Sequence, residues 1–393
     1  MYTLLQRLKR FCGIIVGIVF FLSGVVKLMD PVGAGLVMNG YYDFFNLNPL
    51  EFSVSTAKCM GTMFALVETL IGIALITGVW RRFIAKAALG LQIFFTLLTL
   101  ILVIFNPKMD CGCFGEVIKL THTQTFAKNL ILLALLCAYA FPFCEIGHTK
   151  KKKYVMFGMV SAPALALTVY SWIYLPLVDF TDYRPGAELA DGVEISPEDM
   201  YETVFTYEKD GRTEAFSLQN LPDSTWTYVS TETRKKEIAQ RTIVNLSFYD
   251  RNGEDRDHLA TEGKVMVVSV YDPSMSDERW EEVEGFIRRS EDAGFTTLLL
   301  CSRPEGIPCS LFDHAFISDY KTLIAMNRSN GGVTYFNNGV LIRKWARICA
   351  PDTKELEEVY DTDATEVSIA RESKGSLTLQ GFLLYAFVFM LVL

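Results

Sequence analysis

The sequence has no basic face and no nucleic-acid-binding motif, which excludes nucleic acid as a partner class. It has no internal repeat and no low-complexity tract, so a solenoid is excluded as well, while the polar stretch with Pro185, Gly186 and Pro197 reads as a linker. No small-residue cleavage site follows the first apolar segment, although Arg7, Lys9 and Arg10 precede it. That segment therefore reads as a retained helix and not as a signal peptide. No set of four metal ligands is evident, so no metal site is expected. Neither interrupted hydrophobic segments nor an inverted repeat appears, which disfavours a solute transporter with a midplane site.

What is present is apolar. Half of the 393 residues are hydrophobic (50%) and mean hydropathy is +0.24, yet 21% are charged, so membrane segments must be joined to a water-soluble part. Apolar windows long enough to span a hydrocarbon core occur near residues 11–29, 60–79, 84–105, 126–144 and 154–175, with a shorter sixth near 377–393. Gly13, Gly17, Gly24, Gly61, Gly72 and Gly90 would allow close approach of these helices. One set of segment ends carries Arg7, Lys9, Arg10, Arg81, Arg82, Lys86 and Lys150 to Lys153. The opposite set carries Lys27, Lys58, Lys108, Lys119 and Lys128. The positive-inside bias then puts the N-terminus in the cytoplasm, with the loops at 30–57 and 106–125 and the segment 179–373 outside.

The expected organisation is an all-α membrane bundle over 1–148, a fifth transmembrane helix over 149–178, an extracytoplasmic α/β region over 179–373 and a probable sixth transmembrane helix over 374–393. In the outer region, "YETVFTYEKDGRTEAFSL" alternates around Lys209-Asp210-Gly211 as a β-hairpin does. Further on, "KVMVVSVY", "DERWEEVEGFIRRSEDAG", "FTTLLLC", "DYKTLIAMN" and "GVTYFNNGVLIRKW" give the order β, α, β, α, β, β of a thioredoxin-like domain, with Asn338-Gly339 at the last turn. Redox-active members of that fold carry Cys-x-x-Cys after the first central strand. Here the position reads "YDPSMSDERW", and glycine stands in "NRSNGGVTYF" where the fold often has a cis-proline, so this domain is expected to have a binding or structural role and not to act as a dithiol enzyme by itself.

Three stretches of the first half, "FLSGVVKLMDP", "ALVETLIGIALITG" and "NPKMDCGCFGEVIKLTHTQTFAKN", resemble the MauE/DoxX group of redox-associated membrane proteins over about 145 residues. The resemblance implies a four-helix bundle that supports extracytoplasmic thiol-disulfide chemistry. The appended domain is similar to that of multidomain relatives in Bacteroidetes-like bacteria.

The chemistry is expected at Cys111 and Cys113. Cysteines at i and i+2 close a small, strained and hence readily reduced ring, and Gly112 permits the backbone angles this needs. Inert loop thiols, or a metal half-site with His122, are the alternatives. Lys119 and Lys128 are candidate thiolate activators, with snorkelling at the interface the simpler role for Lys119, and Asp110 is a candidate proton acceptor. Glu68 falls inside a membrane helix and needs a partner, for which Lys27 is the candidate. Cys59 is a candidate resolving thiol, with packing as the simpler role, while Cys12, Cys137 and Cys144 are assigned to packing. Cys301 and Cys309 bracket "SRPEGIP" and are a candidate structural disulfide, which would leave Cys349 odd. Trp280 and Trp345 are expected in the core or a groove. No cofactor motif is evident; a membrane quinone is the candidate carrier of electrons from the thiols. The expected partners are the lipid bilayer and an extracytoplasmic protein client. The competing reading is a non-catalytic scaffold whose outer domain binds a protein or ligand.

Overall fold

The computed structural model describes residues 2–46, 54–107, 109, 112, 115, 120–141, 151–190, 201–209, 212–217, 226–235, 242–364 and 366–367. Cys111, Cys113, Asp110, Lys119, Cys144 and the segment expected as a sixth helix lie outside the described residues.

The chain begins with α1 (Tyr2–Met29), α2 (Pro31–Phe44), α3 (Val54–Thr77), α4 (Arg81–Phe105), α5 (His122–Ala140) and α6 (Lys151–Ile173). All but α2 are long and apolar enough to cross a membrane, close to the windows expected from the sequence. Each break has a local cause. Asp30 caps α2 by accepting from the Gly33 amide at 2.9 Å, and Pro31 supplies the fixed φ suited to a first helical turn. Arg10 of α1 donates to the carbonyls of Leu75 (2.7 Å) and Ile76, closing the C-terminal end of α3. Asn106 ends α4 in the left-handed region at φ 43°. Thr121 and Gln124 form a capping box that starts α5.

Small residues let α1 and α3 meet closely. A Cβ on Gly24 would lie 2.2 Å from Thr69 Oγ1, and one on Gly72 would lie 2.5 Å from the Phe21 backbone nitrogen. Gly90 departs from the expectation: nothing lies within 4 Å of a Cβ there, because it faces away from the neighbouring helices. The stretch 30–57, expected as a loop, contains α2. Its glycines and asparagine obscure a helical period, although the Asp30-Pro31 start signal is present.

The part after α6 contains β1 (Glu188–Leu189), then β2 (Tyr201–Lys209), β3 (Arg212–Ser217) and β4 (Thr227–Lys235), which pair in the order β3-β2-β4. It continues with β5 (Ile243–Val244), β6 (Phe248–Tyr249), β7 (Lys264–Val270), α7 (Asp277–Asp292), β8 (Thr296–Cys301), β9 (Ala315–Ser318), α8 (Tyr320–Met326), β10 (Gly332–Asn337), β11 (Val340–Trp345) and α9 (Thr353–Asp361). The larger sheet runs β5-β1-β11-β10-β7-β8-β9-β6. Its centre, β11-β10-β7-β8, has parallel β7 and β8 with antiparallel β10 and β11, the arrangement expected of a thioredoxin-like α/β domain. Asn338 and Gly339 turn the last hairpin with φ 47° and 76°, as an Asn-Gly turn requires.

One face of the sheet buries Trp280, Phe286 and Trp345 under α7 and α9, so both tryptophans belong to the core. The other buries Phe248, Leu323 and Phe336 under α8, and Val32 of α2 packs into this second core. The expected disulfide is corrected: Cys301 and Cys309 are free thiols. Cys301 is the last residue of β8 and points into the core, whereas Cys309 stands on an exposed turn, so the loop between them does not turn the two thiols toward each other.

A membrane cavity beside the Cys-Gly-Cys loop

Lys27 and Glu68 come together inside the bundle. Lys27 Nζ on α1 lies 2.7 Å from Glu68 Oε2 on α3 and 3.3 Å from Ser23 Oγ, and it sits 5.8 Å from the centroid of the Phe95 ring on α4. The two side chains are 17% and 6% exposed. Two charges this far from water are tolerated because each supplies the other's counter-charge and hydrogen bond.

The pair lines a cavity of about 180 Å³ walled by α1, α2, α3, α4 and α5. Most of the wall is aliphatic or aromatic, including Phe20, Phe64, Phe94, Phe95 and Leu132. Polar groups occupy the rest of it. Gln92 Nε2 donates to the Asn129 carbonyl (3.0 Å), and Asn129 Nδ2 donates to Thr99 Oγ1 (3.2 Å) and to the Phe95 carbonyl (3.3 Å). Lys128, half-buried on α5, also faces the cavity.

Gly112 reaches the same cavity. It has φ 62°, and its Cα is so close to α2 that a Cβ would lie 2.4 Å from Val37 Cγ1. Glycine is thus required twice, by backbone conformation and by contact. The Gly115 amide donates to the Gly112 carbonyl at 3.3 Å. His122 anchors the loop entry, its Nδ1 3.2 Å from Asn106 Oδ1 and its Nε2 3.1 Å from the Met109 carbonyl. Each imidazole nitrogen thus has a protein oxygen within hydrogen-bond distance, and the cysteines of the alternative metal half-site lie outside the described residues.

Cys59 is exposed on α3 and is not among the residues that line the cavity; the thiols it would resolve, Cys111 and Cys113, lie outside the described residues. Cys12 is buried and Cys137 packs beside the same core, as expected for filler residues.

The α/β domain after α6 grips α2. Arg328 Nη2, just after α8, lies 2.9 Å from Asp30 Oδ2, with side-chain exposures of 5% and 13%. Asp30 thereby caps α2 with one oxygen and pairs with the outer domain through the other. Lys344 Nζ of β11 holds Asp179 Oδ2 at 2.6 Å, tying the segment after α6 to the same sheet. Between the domains lies a second cavity of about 360 Å³, lined by Lys58, Trp172, Tyr271, Asp272, Ser274 and Arg279 among others. The Tyr271–Ser276 turn, where redox-active thioredoxin-like domains carry their dithiol, faces this cavity without a cysteine.

Neither the α2 lid nor the Arg328 contact was anticipated from the sequence. Asp30-Pro31 could have indicated the first. Nothing local indicates the second, because 298 positions separate the two charges.

Residues 5–142 match the family of methylamine utilisation protein MauE. Residues 201–237, the three-stranded sheet, match a domain of unknown function (DUF8463). Among curated proteins, "Protein TlpB" of Flavobacterium psychrophilum is 26% identical over 171 residues, which is 43% of this chain and 46% of that protein. The alignment thus spans less than half the length of this curated relative. No solved structure matches the chain. The N-terminal region is accordingly MauE-like, and the chain is a multi-pass membrane protein with an appended α/β domain.

Proposed function

We propose that this protein carries out extracytoplasmic thiol-disulfide exchange at the outer end of its membrane bundle, using Cys111 and Cys113. In this reading the N-terminus is cytoplasmic, the loop and the outer domain face the oxidising side of a bacterial inner membrane, and the outer domain docks a protein client. One observation carries the reading. Gly112, the residue between the two cysteines, is held at φ 62° against Val37 and lines a cavity shared with the Lys27–Glu68 pair and Lys128. A loop at a helix end with only a structural role has no need to meet buried charges. Lys128 is the cation nearest in sequence, among the described residues, to favour a thiolate.

The outer domain cannot supply the dithiol, since its Tyr271–Ser276 turn has none; its role is to hold α2 and to present a client. The experiment is acid-quenched alkylation of the full chain in membranes under oxidising and reducing growth. Cys111 and Cys113 are expected to change oxidation state together, and Cys111→Ser is expected to accumulate a mixed disulfide through Cys113. A Cys113 that is never oxidised under any condition overturns the proposal. A Cys111→Ser/Cys113→Ser chain with full biological activity would replace it with the scaffold reading.

A further inference from the structure

Resting on that reading, we infer that the cavity holding the Lys27–Glu68 pair binds the head group of a lipid-soluble quinone, which accepts the electrons released when the dithiol closes. Three observations carry the inference. The first is size: a cavity of roughly 150 Å³ takes up one benzene ring, so one of about 180 Å³ suits a single substituted ring.

The second is polarity. A ring lying among Phe20, Phe95 and Leu132 needs few polar partners, but a quinone carbonyl needs a donor. Lys27 Nζ has three N–H groups, and the contacts to Glu68 and Ser23 engage two of them. The third can donate to a carbonyl oxygen, and a fixed ammonium there stabilises the negative charge that develops as that oxygen is reduced. An acyl chain in the same cavity would leave this donor unanswered.

The third observation is access. Phe64 of α3 and Phe94 of α4 both line the cavity and are also 39% and 48% exposed on the outer surface of the bundle, with rings stacked 6.4 Å apart. They form an aromatic window between two membrane helices, through which an isoprenoid tail can lie in the bilayer while the ring stays inside. The ligand is thereby one that arrives from lipid.

The step balances. Two S–H bonds break and one S–S bond forms, and the two electrons and two protons convert both quinone carbonyls to hydroxyls. The quinol leaves through the window, and the disulfide is passed to the client by exchange.

The test uses the full chain in phosphatidylcholine nanodiscs, photolabelled with an azidoquinone and mapped by peptide. Label is expected on the peptides carrying Phe64 or Phe94, displaced by decylubiquinone and not by palmitic acid. The charge-free Lys27→Met/Glu68→Met pair is expected to reduce labelling at least tenfold. Should that pair fail to fold, Leu98→Trp, which fills the cavity and leaves the ion pair in place, must abolish labelling. Labelling that survives these variants, or displacement by palmitic acid as readily as by decylubiquinone, overturns the inference. Cys111→Ser/Cys113→Ser is expected to keep full labelling while losing disulfide formation. Failure of the quinone site is therefore told apart from failure of the thiol chemistry.

Discussion

The contact between Asp30 and Arg328 is the point at which a break should be felt in both halves of the molecule. In Arg328→Met the aliphatic part of the side chain is replaced, but Asp30, 13% exposed, loses its close ion pair and keeps the Gly33 amide and the more distant charge of Lys58. Removing one member of a buried pair typically costs about 3–5 kcal/mol, and the partial exposure of Asp30 puts the expected cost near the lower figure, about 3 kcal/mol. Asp30→Asn removes the other charge and keeps the N-cap, since asparagine caps as well as aspartate. The double variant removes both charges of the close pair, and its stability should return to within about 1 kcal/mol of the parent. The double-mutant cycle should thus yield a coupling energy of about 2 kcal/mol or more. Denaturant unfolding followed through the buried Trp280 and Trp345 reads the cost to the outer domain. Hydrogen exchange at the Gly33 and Ala34 amides reads the loosening of α2. A cost below about 0.5 kcal/mol, the range of a solvent-screened surface pair, together with unchanged exchange in α2, would refute the idea that the outer domain holds the lid of the cavity.

Two further outcomes are expected. Burial pushes the Cys301 thiol up to about 12, so at pH 8 only about one molecule in ten thousand carries the thiolate there; native maleimide labelling should reach exposed Cys309 and Cys349 and spare Cys301 until the domain unfolds, and fast labelling of native Cys301 would contradict the packing described. Gly72→Ala forces a Cβ to 2.5 Å from the Phe21 nitrogen and should lower stability by about 1–3 kcal/mol, whereas Gly90→Ala, with nothing within 4 Å, should be neutral or slightly stabilising; equal melting temperatures for the two variants would show that α1 and α3 do not pack as described.

The five membrane helices were legible because a hydrocarbon core demands about 20 consecutive apolar residues, and their ends fall near the apolar windows. The central strands and α7 of the α/β domain were legible for a related reason: Lys264–Val270 and Thr296–Cys301 are dominated by apolar residues, and Asp277–Asp292 repeats its apolar residues at helical spacing. Short elements were not. β4 and β9 have little periodicity of their own and are held by neighbours in the sheet. α2 is rich in glycine and asparagine, and it is secured by an aspartate cap and by Val32 packing into a core more than 150 residues away in sequence. The candidate disulfide misled because a Pro- and Gly-containing loop sets only how far two cysteines can approach, while the direction of Cys301 is set by the alternation of β8 against the core.

By itself, then, the sequence determined what bilayer and sheet physics act on locally: which segments are apolar enough to span, that a carboxylate at Glu68 inside such a segment must find a cation, and that the outer domain lacks a dithiol at the usual turn. Only the tertiary structure decided which surfaces meet. It put Lys27 against Glu68, Val37 against Gly112 and Arg328 against Asp30, and it left a cavity where five helices fail to close on one another. Such contacts arise from packing between distant segments, where no local propensity reports on the partner; they are the features on which the proposed chemistry depends.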